Sequence, residues 1–113
     1  MSRAIEKRQV GKTGLMIDTL GLGGAPLGGN FIDLSYNQAV ELIAAAKDAG
    51  IGYFDTAPWY GFGRSERGMG DLLRSSDYIL SDKVGRLLRP GPVDNPASFG
   101  MVDPLPFHVA YDY

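Results

Sequence analysis

The chain has 113 residues, of which 44% are hydrophobic and 21% charged, and its formal net charge is −2 at pH 7. This composition is typical of one globular domain, and without a basic surplus we expect no binding to nucleic acid or to an anionic membrane. The absence of cysteine excludes a disulfide framework and a thiolate metal site, and we assign no metal. No apolar run approaches the about 18 residues that a membrane helix needs, and the first residues do not form a signal peptide, so we expect a cytoplasmic protein.

The first half of the chain predicts a short hairpin, a strand and a helix. Residues 5–17 indicate two extended segments around a glycine-containing turn, and residues 18–23 indicate a strand that runs into a glycine-rich loop. Ser35 and Gln38 have the spacing of a capping box, which marks the start of a helix. Apolar residues follow at helical spacing until Gly50, which is expected to end the helix.

The second half continues the alternation of strands and helices. We predict a strand over residues 51–55, a helix over 65–74 and a strand over 78–84. This alternation is typical of a parallel sheet with right-handed crossovers. Residues 86–113 contain five of the seven prolines and show no clear period. They predict either a long proline-rich functional loop or a chain whose continuation lies beyond.

Two glycine motifs are similar to nucleotide-binding signatures without matching them. Residues 11–13 have the ending of a phosphate-binding P-loop, but Glu6 stands where that motif needs its first glycine, so a hairpin turn is the better interpretation. Residues 21–26 are similar to the dinucleotide fingerprint, but Pro26 stands at its third glycine and no helix begins there. A Rossmann fold is therefore not expected, although the glycines allow a ligand to approach the backbone.

Three side chains suited to proton transfer fall near one edge of the predicted sheet. Asp55 ends one strand, Tyr60 follows on the loop, and Lys83 lies at the end of the next strand. An ammonium near a phenol favours the phenolate, which would make the tyrosine a usable general acid or base near neutral pH. The alternative, which spacing alone favours, is an ion pair that stabilises the sheet beside an exposed tyrosine.

Several segments resemble the aldo-keto reductase family. Residues 50–57, followed by the Tyr-Gly and Ser-Glu pairs at 60–61 and 65–66, resemble the signature segment of that family. Residues 10–15 and 20–23 are similar to its start, and residues 80–88 to its lysine strand. Within that family, the residues of these segments are most similar to the branch of aldose, fucose and pyridoxal dehydrogenases. The resemblance runs from about residue 8 to residue 113.

This resemblance implies an α/β fold that forms the N-terminal part of a (β/α)8 TIM barrel, preceded by a short β-hairpin. Residues 1–113 would form one partial barrel domain with about three βα units, since a whole barrel takes about 250 residues. The implied activity is an NAD(P)-dependent oxidation or reduction of a small aldehyde, ketone or alcohol, sugar-like or pyridoxal-like, with NADP or NAD bound without a Rossmann fold.

The resemblance also implies roles for single residues. Asp55, Tyr60 and Lys83 match three of the four catalytic positions of the family, with Tyr60 as proton donor or acceptor. Gly24, Ala25 and Asp55 would lie near the cofactor, and Trp59 would line the substrate site.

The fourth catalytic position, a histidine, is expected after residue 113. His108 precedes no matching motif and is expected to be a loop or surface residue. The isolated chain is therefore expected to be inactive. The alternative function is a non-catalytic piece that self-associates or binds a partner through open sheet edges.

Overall fold

The first element of the structure, a computed structural model that describes residues 4–85, 87–90 and 109–112, is an antiparallel hairpin. It consists of β1 (Lys7–Gln9) and β2 (Met16–Asp18). Strands of three residues form too short a ladder to be stable alone, so the hairpin depends on a further anchor.

That anchor is the carboxylate of Asp18, which is buried. It accepts hydrogen bonds from Lys7 Nζ at 2.8 Å and from the backbone N–H of Gly52 at 2.6 Å. The hydrogen bond from Lys7 is the main cause that holds the pKa of Asp18 below its ordinary value, against the opposing effect of burial. Asp18 thus ends the hairpin, whereas the sequence predicts that it begins the following strand.

A three-stranded parallel sheet follows, as the alternation of strands and helices predicts. It contains β3 (Leu22–Gly23), β4 (Tyr53–Asp55) and β5 (Ile79–Ser81), in the order β3-β4-β5. The strands are shorter than the predicted ones. One reason is that the N–H of Ile51 donates to the carbonyl of Ala46 and so belongs to the end of the preceding helix.

The helix before β4, α1 (Tyr36–Asp48), has both ends where the sequence places them. Ser35 Oγ accepts from the Gln38 N–H at 3.2 Å, and Gln38 Oε1 accepts from the Ser35 N–H at 2.9 Å, which completes the capping box. After the helix, Gly50 adopts φ of 89°, a left-handed conformation that glycine reaches without a steric penalty.

Two further helical segments join the strands. A 3-10 helix (Ala25–Gly28) follows β3, and α2 (Arg64–Leu73) follows β4. Helix α2 begins after Gly63, which has φ of 94°. These helices and α1 enclose one apolar cluster with the central strand, formed by Leu27, Ile43, Ala46, Phe54, Met69 and Leu73.

Alternation along β4 determines which of its side chains face away from the apolar cluster. Phe54 is 1% exposed and faces the helices, so its neighbours Tyr53 and Asp55 face the opposite side of the sheet. The same alternation in β5 places Ile79 and Ser81 on the side of Asp55.

The segment 86–113 contains a pair of strands at its described ends. β6 (Leu87–Pro90) pairs antiparallel with β7 (Val109–Asp112). The sequence does not predict this pairing, because pairing between segments far apart in the chain leaves no local period. Residues 91–108, with His108, lie outside the described residues.

The loops after β3 and β4 meet at two glycines. A Cβ atom on Gly28 would overlap the backbone of Tyr60 and Gly61, and a Cβ atom on Gly61 would overlap the backbone of Gly28. Because backbone atoms cannot rotate away as a side chain can, this contact fixes the position of the loop that carries Tyr60.

Replacement of Gly28 by alanine is expected to lower the free energy of unfolding by about 2 kcal/mol, the cost of forcing a methyl group into a filled site. Gly70→Ala is the matched control, since Gly70 is exposed on α2 with open space around its Cα. The control is expected to be stabilising by up to about 1 kcal/mol, because alanine favours a helix. Urea unfolding of the intact protein that carries this sequence measures both, and equal effects of the two variants would contradict the close contact.

Candidate active site

The parallel pairing of β4 and β5 brings Asp55 and Lys83 together at the carboxyl edge of the sheet. Asp55 lies opposite Ser81 in the register, and Lys83 follows two residues later. Lys83 Nζ lies 2.8 Å from Asp55 Oδ2 and also donates to the carbonyl of Thr56 at 2.9 Å. The ammonium is therefore held between a carboxylate and a backbone oxygen.

Tyr60 completes the group. Lys83 Nζ lies 4.8 Å from the centre of the Tyr60 ring, a distance at which a cation is attracted to an aromatic face. The backbone of Tyr60 is held by two hydrogen bonds, from its N–H to Ala57 O at 3.1 Å and from the Ser65 N–H to its carbonyl at 3.1 Å. The structure thus brings together the three side chains that the sequence singles out for proton transfer.

The charges of the pair reinforce one another. Burial raises the pKa of Asp55, but hydrogen bonds from Lys83 and Ser81 and the charge of Lys83 outweigh it and hold this pKa below its usual value. Burial lowers the pKa of Lys83, but hydrogen bonds with Asp55 and Tyr60 outweigh it and hold that pKa above its usual value. Both groups therefore stay ionised around neutral pH, and a permanent positive charge lies beside a phenol.

The site is open to solvent. The side chain of Asp55 is 36% exposed and that of Lys83 is 49% exposed. Both oxygens of Asp55 accept hydrogen bonds, yet a carboxylate has about four acceptor positions, so Asp55 can still accept from the hydroxyl of a ligand.

The two predicted cofactor residues beside β3 differ in exposure. Gly24 is buried: its N–H donates to Asp55 O at 2.7 Å, and its carbonyl accepts from Ser65 Oγ at 2.7 Å. A Cβ atom there would lie 2.7 Å from Met69 Cε. Ala25 is half-buried and begins the 3-10 helix, so of the two it has the more accessible surface.

Trp59, the predicted substrate residue, is half-buried next to Tyr60. Its ring centre lies 6.1 Å from that of Phe62, and the two ring planes are tilted by 41°. Phe62 is buried and adopts φ of 51°, which is rare for a bulky residue. The two aromatic rings thus lie against each other in the loop that carries Tyr60.

Sequence reasoning gave no role to Tyr53 or Ser81, although their places on the strands were visible. Tyr53 Oη lies 3.0 Å from Ser81 Oγ, which in turn donates to Asp55 Oδ1 at 2.6 Å. Strand alternation puts these residues on the face of Asp55. The register between the strands, which the sequence pattern does not contain, makes them contact.

A pair of acidic groups, Glu66 and Asp82, lies where α2 meets the end of β5. Burial, a hydrogen bond with Asp82 and the charge of Asp82 together raise the pKa of Glu66 to about 7. Among the described residues, no group of histidine, cysteine, aspartate and glutamate side chains could hold a metal ion.

Comparison with known proteins identifies the family. Residues 19–103 match the Aldo/keto reductase family. The chain belongs to the aldo-keto reductase family. Its ancestry is therefore that of an oxidoreductase, and the three converging residues occupy the segments in which its sequence resembles this family.

Comparison with individual relatives shows how much of each protein this chain matches. Pyridoxal 4-dehydrogenase of Microbacterium luteolum is 44% identical over 98% of this chain and 36% of its own length. D-threo-aldose 1-dehydrogenase of a Pseudomonas species is 44% identical over 88% of this chain and 30% of its own length. This aldo-keto reductase chain thus spans about a third of these relatives.

Solved aldo-keto reductase structures agree with the fold. The holo form of an aldo-keto reductase from Bacillus halodurans superposes with a TM-score of 0.64 at 33% identity, covering 73% of this chain and 26% of the other. Glycerol dehydrogenase of Gluconobacter oxydans gives 0.64 at 26% identity over 94% of this chain and 30% of its own. These neighbours imply a part of a (β/α)8 barrel.

No helix in the described part of the chain is long and apolar enough to cross a membrane.

The raised pKa of Glu66 predicts a stability that falls as the pH rises. The folded protein holds this proton more tightly than the unfolded chain, so the contribution is complete below the ordinary value of 4.5 and is lost as the pH passes through about 7. Glu66→Gln removes the titration. It is expected to be neutral near about pH 5 and stabilising by about 1 kcal/mol near about pH 8.5, after allowance for solvent screening.

Urea unfolding of the intact protein at the two pH values measures this difference. Glu41→Gln, on the exposed side of α1, is the control and is expected to show no change between them. A Glu66→Gln variant whose relative stability is the same at both values would contradict the account of this carboxyl pair.

Proposed function

We propose that the intact protein that carries this sequence is an NAD(P)-dependent oxidoreductase of a small aldehyde or ketone and the corresponding alcohol, sugar-like or pyridoxal-like. The observation that carries this proposal is the position of the Lys83 ammonium, 2.8 Å from the carboxylate of Asp55 and over the ring of Tyr60. An ion pair that served stability alone would not require a phenol beside the cation.

Tyr60 is the proposed proton donor or acceptor. NADP or NAD supplies the chemistry of hydride exchange at the substrate carbon when it is bound. In reduction, the Tyr60 hydroxyl gives its proton to the substrate oxygen, and in oxidation the phenolate takes the proton from the alcohol. The Lys83 ammonium stabilises the phenolate that results or reacts, and Asp55 holds the ammonium in place.

The cofactor is proposed to lie against Gly24, Ala25 and Asp55. The free acceptor positions and partial exposure of the Asp55 carboxylate fit the hydroxyl groups of a ribose. Gly24, which admits no side chain, allows the loop to lie flat against β4, and Ala25 offers a small apolar surface next to it. The residues fit the sugar end of a dinucleotide, whereas phosphate groups in barrels of this kind are bound by later loops.

The substrate is proposed to contact Trp59. Its half-buried ring, supported by Phe62, lies beside the proton-transferring residue and suits a flat or ring-shaped molecule. The names of two relatives, pyridoxal 4-dehydrogenase and D-threo-aldose 1-dehydrogenase, favour such substrates.

A second candidate applies to residues 1–113 on their own, which we propose to form a partial barrel of a hairpin and about three βα units. β3 and β5 are the outer strands of the described sheet, and apolar side chains near them are exposed: Leu80 by 39%, Leu20 by 58% and Val84 by 99%. Open strand edges with apolar neighbours favour self-association or binding to a partner.

Replacement of Tyr60 by phenylalanine is expected to lower kcat by about 10²- to 10⁴-fold, the usual contribution of a general acid or base. The ring and its contact with Lys83 remain, so the fold is retained. Tyr36→Phe, at the exposed start of α1, is the matched control and is expected to leave kcat unchanged. Turnover of the intact protein with a small aldehyde is measured, and normal turnover of Tyr60→Phe would refute the role of the phenol.

The second candidate is tested on the isolated 113-residue chain, by titration with NADPH and with NADH followed by fluorescence. We expect no saturable binding, because later barrel loops are needed for the phosphates. Light scattering on the same sample measures self-association. Saturable micromolar binding would show that this segment holds a cofactor site of its own, against our expectation.

A further inference from the structure

A chain of hydrogen bonds extends behind the ion pair into the sheet. Tyr53 Oη lies 3.0 Å from Ser81 Oγ, Ser81 Oγ lies 2.6 Å from Asp55 Oδ1, and Asp55 Oδ2 lies 2.8 Å from Lys83 Nζ. The two carboxylate oxygens of Asp55 thus have different partners, one on each side. Neither Tyr53 nor Ser81 has a place in the proton transfer described above.

The direction of the donors in this chain follows from counting protons. A serine hydroxyl has a single proton, and an ionised carboxylate can only accept. Since Ser81 donates to Asp55, its own oxygen must accept from Tyr53, which makes Tyr53 the donor at the far end. Each hydroxyl is then polarised by the next, which strengthens the bond that reaches the carboxylate.

The packing of Tyr53 holds the far end of the chain in place. A Cβ atom on Gly21 would press against the ring carbons of Tyr53, so the absence of a side chain there is what admits the ring. Tyr53 and Ser81 are half-buried on adjacent strands. The Ser81 hydroxyl therefore contacts Asp55 from the sheet side, with the Tyr53 hydroxyl bound to Ser81 behind it, while Lys83 contacts Asp55 at the rim.

We propose that Ser81, supported by Tyr53, is a positioning residue that fixes the rotation of the Asp55 carboxylate so that its second oxygen faces Lys83. Without the bond to Oδ1, the carboxylate can turn about its terminal torsion, which is broad and only weakly restricted. The lysine beside Tyr60 would then lose its fixed partner. This inference rests on the proposed function for its consequence, but the hydrogen-bond chain can be tested without turnover.

The test is the titration of Asp55 in the intact protein, followed by carbon-13 NMR of labelled aspartate side chains and assigned with Asp55→Asn. Ser81→Ala is expected to move the Asp55 titration to higher pH, because the ionised form loses a hydrogen bond. Ser81→Thr, which keeps the hydroxyl, is expected to restore it. Asp18, held by Lys7 and Gly52, is the internal control and should not move.

Tyr53→Phe is the second variant and decides the matter if Ser81→Ala does not fold. This variant keeps the ring against Gly21, and it is expected to move the Asp55 titration to higher pH by a smaller amount than Ser81→Ala does. An Asp55 titration that is unmoved in the folded variants, or that moves in Ser81→Ala without being restored by Ser81→Thr, would overturn the proposal.

The kinetic consequence is measured separately. Ser81→Ala is expected to lower kcat by about tenfold, as the loss of one hydrogen bond to a charged group would do, and Ser81→Thr to recover it. If Tyr60→Phe keeps its turnover while Asp55 still shifts in Ser81→Ala, the proposed function fails and the positioning of Asp55 stands. If the Asp55 titration does not shift in Ser81→Ala while Tyr60→Phe is inactive, the proposed function stands and the positioning role of Ser81 fails.

Discussion

The ion pair between Asp55 and Lys83 is the contact around which the candidate site is built. It joins the ends of β4 and β5, and the lysine reaches further to the carbonyl of Thr56 and the ring of Tyr60. A surface ion pair of this exposure contributes little to stability. Its importance lies in position, because the pair holds a permanent positive charge beside a phenol.

The surrounding structure keeps that charge and the phenol at a fixed separation. The glycine contact between the loops after β3 and β4 leaves Tyr60 little freedom, since Gly28 and Gly61 meet backbone to backbone. Thr56 and Ser65, on either side of this loop, are buried, and Thr56 Oγ1 lies 2.8 Å from Ser65 Oγ. The Ser65 hydroxyl also donates to the carbonyl of Gly24. Rigid support of this kind is what a proton-transfer site requires, because small displacements are costly in rate.

How far the sequence leads depends on whether a feature is local. The capping box of Ser35 and Gln38 depends on four consecutive residues, and both of its predicted hydrogen bonds are confirmed. Asp55 and Lys83 could be predicted to share an edge because parallel strands end together. By contrast, the pairing of β6 with β7 and the anchoring of the hairpin by Asp18 depend on partners far away in the chain. The contact of Tyr53 with Ser81 depends on strand register, which periodicity does not contain.

The most direct test of the central claim is the pH dependence of alcohol oxidation by the intact protein and by its Lys83→Met variant. If the ammonium favours the phenolate of Tyr60, its removal should lower the rate and displace the rising limb of the profile to higher pH. Methionine fills a similar volume, so the fold should be kept. A variant whose profile has the same shape and position as that of the parent would contradict the account, since the lysine would then have no influence on the proton that is transferred.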